Sequence, residues 1–125
     1  MTVSDCSRRA GLERTGVTLA RLSPGKAAFP VHRHHAEEDW VYVLEGSVEV
    51  RLGDVVREVG PGSFVAFVPG GPAHQLHNRS DADVVYLMGG ESSAVEIVDF
   101  PELGKRSLRM NDFYASTIVP LAADD

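Results

Sequence analysis

Three histidines and three carboxylates stand within one stretch of eight residues, His32-Arg33-His34-His35-Ala36-Glu37-Glu38-Asp39. Neutral imidazole and carboxylate are the donors that hold iron, manganese, nickel, cobalt, copper or zinc as divalent ions, and with no thiolate nearby a soft-metal site is disfavoured. In an extended segment successive side chains alternate faces, so His32 and His34 project the same way, about 6 to 7 Å apart along the strand. Two imidazoles so placed can share an ion. The competing reading is a solvated loop that happens to be rich in histidine and acid, and one His-x-His does not decide between them. Further along, the turn Pro69-Gly70-Gly71-Pro72-Ala73 delivers His74, with Asn78 four residues beyond.

The elements that must position these residues read as short strands. Val17, Leu19 and Leu22 against Thr18 and Arg21 form a half-buried strand over 16–22, closed by Ser23-Pro24-Gly25-Lys26. Trp40 to Leu44 is β-branched and aromatic, and Val48, Val50 and Leu52 alternate with Glu49 and Arg51 after Glu45-Gly46-Ser47, a pattern that predicts a hairpin. Further strands are expected at 55–59, 63–68, 73–78, 82–88 and 94–100. The breaks between them are Gly53-Asp54, Gly60-Pro61-Gly62, Pro69 to Pro72, Arg79-Ser80-Asp81 and Gly89-Gly90. Residues 101–125 are less periodic, with one more possible strand at 115–121. Turn signals roughly every 8 to 12 residues without a helical period predict an all-β sandwich or barrel.

A chain of 125 residues supports one core. We place a single barrel domain at 15–121, a polar N-terminal arm at 1–14 that is either flexible or adds an edge strand, and a frayed tail at 122–125. The 12 basic against 18 acidic residues give a net charge of −6, the wrong sign for nucleic acid or an anionic membrane surface. Cys6 is the only cysteine, so no internal disulfide forms, and neither a secretory h-region nor a spanning apolar run is present. A cytoplasmic location is expected.

Pro69, Gly71, His74 and Asn78, preceded by Gly62, resemble the second motif of the cupin superfamily, and His32, His34, Asp39 and Gly46 are similar to its first. The resemblance covers residues 25–78, and the run 62–78 with Val98-Asp99-Phe100-Pro101 is similar to a bacterial subgroup of the superfamily. It implies a jelly-roll β-barrel with one divalent transition metal per chain held near its mouth by His32, His34, Asp39 and His74. Three departures stand out. Asp39 occupies a place where the family usually carries Glu, and the spacings from Gly25 to His32 and from Gly62 to Pro69 are each one residue longer than the commonest. Aspartate is one methylene shorter than glutamate. That leaves three options: the backbone moves inward, a water completes the shell, or Glu38 reaches in from a bulge.

His35 and His77 point away from the ligand face and are assigned solvent or supporting roles, and Arg33, also on the other face, is an interface or surface residue or an anion anchor. Asn78 ties backbone, and Gly46, Gly62 and Gly71 serve turns. Three functions are consistent with this reading. The first is a metal-dependent enzyme of oxygenase, isomerase, cyclase or lyase type with a small organic substrate bound to the metal. The second is a binding module for a small ligand without turnover, and the third is a structural protein with a vestigial site. Trp40 to Leu44 is apolar on both faces. The face that does not fill the barrel needs a cover, which predicts a homodimer.

Overall fold

The computed structural model describes residues 1–110 and 116–121; the expected tail at 122–125 lies outside the described residues. The chain forms twelve described strands: β1 (Thr2–Asp5), β2 (Thr15–Leu22), β3 (Arg33–His34), β4 (Asp39–Glu45), β5 (Val48–Leu52), β6 (Val55–Val59), β7 (Phe64–Phe67), β8 (His74–His77), β9 (Val84–Glu91), β10 (Val95–Phe100), β11 (Lys105–Met110) and β12 (Ser116–Pro120). A short helix α1 (Cys6–Ala10), capped by Asp5, follows β1.

The strands make a five-stranded sheet in the order β1-β2-β9-β4-β7, a four-stranded sheet β12-β11-β10-β3 and a three-stranded sheet β6-β5-β8. All pairs are antiparallel. Isolated bridges Ala27 to His77 and His32 to His74 join the segment before β3 to β8, so the two smaller sheets meet at the histidines. The core lies between this layer and the large sheet. Ala20 and Leu22 of β2, Val41 and Val43 of β4, Phe67 of β7 and Val84 and Tyr86 of β9 pack against Val48 and Val50 of β5 and Leu76 of β8. Period-2 alternation creates this face, because each inward residue is flanked by outward ones, and each aliphatic side chain so buried contributes about 1.5 to 3 kcal/mol before entropy is set against it. This is the jelly-roll architecture expected, all-β with two facing antiparallel layers.

Three expectations change. Trp40–Leu44 and Val48–Leu52 do not form a hairpin: β4 pairs with β9 and β7, whereas β5 pairs with β6 and β8. The turn between them crosses from one layer to the other, and Gly46 (φ +76°) permits it, since a Cβ there would press on the Asp83 carbonyl. Gly89 and Gly90 are not a break but lie inside β9. The aperiodic region yields β11, which pairs along its length with β10. At the N-terminus the edge-strand alternative holds: β1 pairs with β2, and the Met1 sulfur accepts the hydroxyl of buried Tyr86, whose pKa burial pushes up to about 12.

Candidate metal centre

His32 and His74 are directly opposed. Each accepts the other's backbone N–H, His32 N to His74 O at 3.1 Å and His74 N to His32 O at 2.8 Å, which sets their rings 4.5 Å apart between centroids. His34, two residues on, shares the face of His32, with its ring 5.3 Å from that of His32 and 6.5 Å from that of His74. Asp39 opens β4, and its Oδ2 accepts from His34 Nε2 at 2.9 Å. The sequence-predicted set of His32, His34, Asp39 and His74 is therefore brought to one place.

Asp39, His32 and His74 line a cavity of about 30 Å³ together with Phe29, Val41, Phe67, Gln75, Leu76 and Met88. A void of that size holds a water or an ion, and little more. The His74 ring stacks on Phe67 at 3.8 Å and 7° between planes, which fixes its rotamer. Tyr86 and Met88 share a face of β9: Tyr86 fills the core below and Met88 the cavity wall. On β7 the inward face is Val65 and Phe67, leaving Phe64, Ala66 and Val68 outside.

Two histidines are held neutral. Burial lowers the pKa of His32, and burial with the neighbouring His32 and His34 lowers that of His74 to about 4. Each also gives one ring N–H to a proline carbonyl two residues earlier, His32 Nδ1 to Pro30 at 2.9 Å and His74 to Pro72. Fixing one nitrogen as a donor leaves the other as a lone pair, the state a metal requires. The repeated Pro-x-His at 30–32 and 72–74 carries this information in the sequence. His34 differs. Burial would depress it, but Asp39, Glu96 and Glu37 outweigh burial and raise its pKa.

Asp39 rather than Glu38 faces the histidines: Glu38 is exposed, and its backbone N–H is taken by Glu91. The shorter aspartate is accommodated from the neighbouring strand. Asp39 is paired with Gly90, where a Cβ would collide with Asp39 Oδ1 and with the Glu38 carbonyl. The adjacent Gly89 gives the same room to the Trp40 indole. Tandem glycine thus lets β4 and both of its side chains lie flat on β9.

The remaining polar residues fall where their parity puts them. His35 Nε2 and the Arg33 guanidinium, on the other face, reach Asp99 at 2.8 Å and 3.3 Å. His77 points away from the cavity, and Asn78, fully buried, donates to Leu22 O and Ala82 O while accepting from Ser80. Sequence reasoning missed Glu96, which lies on β10 and has no local motif around it. Together with Glu37 it faces His34, and the donor atoms of His34, Glu37 and Glu96 lie within 4.8 Å of one another. The four predicted ligands are gathered less tightly than this trio, and the His34–Asp39 hydrogen bond is one that an ion would replace. No helix among the described residues is long and apolar enough to cross a membrane.

Residues 18–90 match the cupin domain family. A proposed sugar phosphate isomerase from Acidithiobacillus ferrooxidans is 30% identical, with 95% of this chain covering 75% of that one at a TM-score of 0.90. A sugar phosphate isomerase from a cupin superfamily, from Silicibacter pomeroyi, is 27% identical over 98% of this chain and 81% of its own, with a TM-score of 0.87. The polyketide cyclase RemF of Streptomyces resistomycificus is 30% identical over 69% of this chain and 60% of its own, with a TM-score of 0.60. Among curated protein sequences none matches. With the two motifs, the paired antiparallel layers and a family match spanning more than half its length, the chain belongs to the cupin superfamily.

Proposed function

We propose that this cupin is a metal-dependent enzyme that rearranges a small oxygenated organic molecule by isomerisation, with one divalent transition metal held by His32, His34, His74 and Asp39. The observation that carries the reading is the convergence of two imidazoles, His32 and His74, and the Asp39 carboxylate on a cavity whose other walls are almost wholly apolar, with a third imidazole, His34, hydrogen-bonded to Asp39. Such a donor set inside apolar walls costs desolvation free energy unless it is used. When bound, the metal would supply a Lewis acid to the substrate's oxygens.

The chain's own residues do the rest. Phe29, Val41, Phe67, Leu76 and Met88 exclude water, and Gln75 is held in place by its bond to the Phe29 carbonyl at 2.8 Å. A volume that takes an ion and little more leaves the substrate's carbon skeleton at the mouth. Among the described residues lining the cavity there is no Lys or Arg, so a phosphate group would find no cationic partner inside. Isomerisation is favoured over oxygenation because two similar proteins bear the name sugar phosphate isomerase and a third is a cyclase; none of the three names implies consumption of dioxygen.

The test is to load the chelated protein with Mn(II), Fe(II), Co(II), Ni(II) or Zn(II) and incubate it in D2O with a panel of aldoses, ketoses and their phosphates. Proton NMR then reads exchange beside the carbonyl. Metal-dependent exchange that disappears in His74→Ala supports the proposal. Oxygen uptake instead would place the protein among oxygenases, and tight metal binding without turnover of any panel member would leave a binding module.

A further inference from the structure

We propose that Glu96 is a positioning residue of this centre: its carboxylate clamps the backbone between His34 and Asp39 and faces Nδ1 of the His34 ring, whose Nε2 is turned to Asp39. The inference rests on the metal reading only for what Nε2 then binds. The clamp belongs to the chain itself.

Residues 35–37 join β3 to β4 and have one strand-like bond, His35 N to Ile97 O at 2.9 Å. Glu96, 1% exposed, supplies the other acceptors. Its Oε1 accepts the N–H groups of His35 at 3.1 Å and Ala36 at 3.0 Å, and its Oε2 that of Glu37 at 2.7 Å. Burial opposes a charge here, but the N–H groups of Glu37, Ala36 and Ile97 outweigh it and lower the carboxyl's pKa, so Glu96 is an anion. Hydrogen bonds to an ionised acceptor are roughly twice as strong as neutral ones. Because His34 and Asp39 flank the clamped segment, its shape fixes the span between them.

The same carboxylate faces the ring. His34 Nδ1 is buried without a hydrogen-bond partner, and carboxylate oxygens lie 3.5 Å away on Glu96 and 3.8 Å away on Glu37. Nε2 donates to Asp39 Oδ2 at 2.9 Å; an ion at Nε2 would leave the ring's proton on Nδ1, the nitrogen that faces the two carboxylates. Glu37 plays a lesser part, since its Oε2 is held by the Ser93 N–H and the Arg109 guanidinium, both at 2.6 Å. The trio of His34, Glu37 and Glu96 is accordingly a support and not a second metal site: its carboxylates already serve N–H and guanidinium donors.

The experiment combines zinc titration of the chelated protein against a competing chelator with nitrogen-15 NMR of backbone amide hydrogen exchange, metal-free and zinc-loaded. Wild type, Glu96→Gln, Glu37→Gln and His74→Ala are compared. Glutamine keeps the size of the side chain, but its amide nitrogen cannot accept. We expect Glu96→Gln to weaken zinc binding by about 10- to 100-fold, the range for partners behind metal ligands, with Glu37→Gln affected less. In the metal-free proteins the amides of His35, Ala36 and Glu37 should exchange faster in Glu96→Gln than in wild type while those of the core strands keep their rates, a local change that loosened packing would not produce. Undiminished zinc affinity in Glu96→Gln alongside loss in His74→Ala would overturn the proposal and leave the metal site standing. Equal zinc binding by wild type and His74→Ala would sink the metal reading instead, with the metal-free amide exchange still deciding the role of Glu96. If Glu96→Gln does not fold, unprotected amides at His35, Ala36 and Glu37 in wild type are by themselves sufficient to refute it.

Discussion

Burial acts on His32 and His74 in one direction and is overruled at His34, and the difference lies in which side chains stand beside each ring. The first two see apolar walls, proline carbonyls and other imidazoles and stay neutral; His34 sees Asp39, Glu37 and Glu96. Asp39 is the residue on which the shortened carboxylate question turns. Asp39→Asn should weaken metal binding by about 10-fold or more, and Glu38→Gln, altering an exposed side chain, should leave it unchanged, as read by the same zinc titration. The reverse ranking would mean that the register of β4 is misassigned. Gly90→Ala tests how the aspartate is fitted: the added methyl meets the Asp39 carboxylate, so the variant should lose about 1 to 3 kcal/mol of stability and metal affinity with it. An alanine variant as stable and as metal-avid as wild type would show that the carboxylate does not need that space.

At the level of elements, buried polar side chains join segments that the sheets leave apart. Asn78 ties the end of β2 to the turn before β9 through Leu22 O and Ala82 O, so Asn78→Ala should cost about 2 kcal/mol or more by stranding those carbonyls, read by urea denaturation. Asp99, 1% exposed, takes Arg106 from β11, Arg33 from β3 and His35 beside it. The Arg106 hydrogen bonds above all, with help from His35, hold its carboxyl well below the usual range. A depressed folded pKa contributes stability that is present above the unfolded value of about 3.9 and is lost as pH falls below it. Asp99→Asn should therefore cost about 2 kcal/mol at neutral pH, discounted because the arginines are partly exposed, and should show a shallower fall in melting temperature from pH 5 to pH 2 than wild type. Parallel curves would remove Asp99 from the acid response. The alternation of Val48, Val50 and Leu52 and the Pro-Gly turns made the strands legible in the sequence, and His-x-His with His74 made the centre legible. Pairing was not. The same alternation serves a hairpin or a crossing between layers, and only the distant partners β7 and β9 decide that β4 leaves β5. Gly89-Gly90 reads locally as a break, because the need for a flat surface under Asp39 and Trp40 arises from another strand. Glu96 is invisible for the same reason, as its three N–H partners lie some sixty residues away.

For the whole molecule, the outer face of the large sheet is the feature a single chain leaves open. One cross-strand row runs Leu19, Leu87, Tyr42, Phe64, with Leu44 beside it; Leu19 and Tyr42 are 38% exposed, Leu44 40% and Phe64 61%. A contiguous aromatic and aliphatic row of this kind is rare on solitary proteins, and we expect two copies to cover it in a homodimer. Tyr42→Glu with Phe64→Glu should then give monomers in sedimentation equilibrium, whereas a monomeric wild type at tens of micromolar would show that this face needs no partner. The central claim is the metal, and native mass spectrometry of untagged protein tests it most directly. The account predicts a wild-type mass with one transition-metal ion per chain and a His74→Ala mass without it; equal metal content in the two proteins, or none in wild type after exposure to each candidate ion, would contradict it.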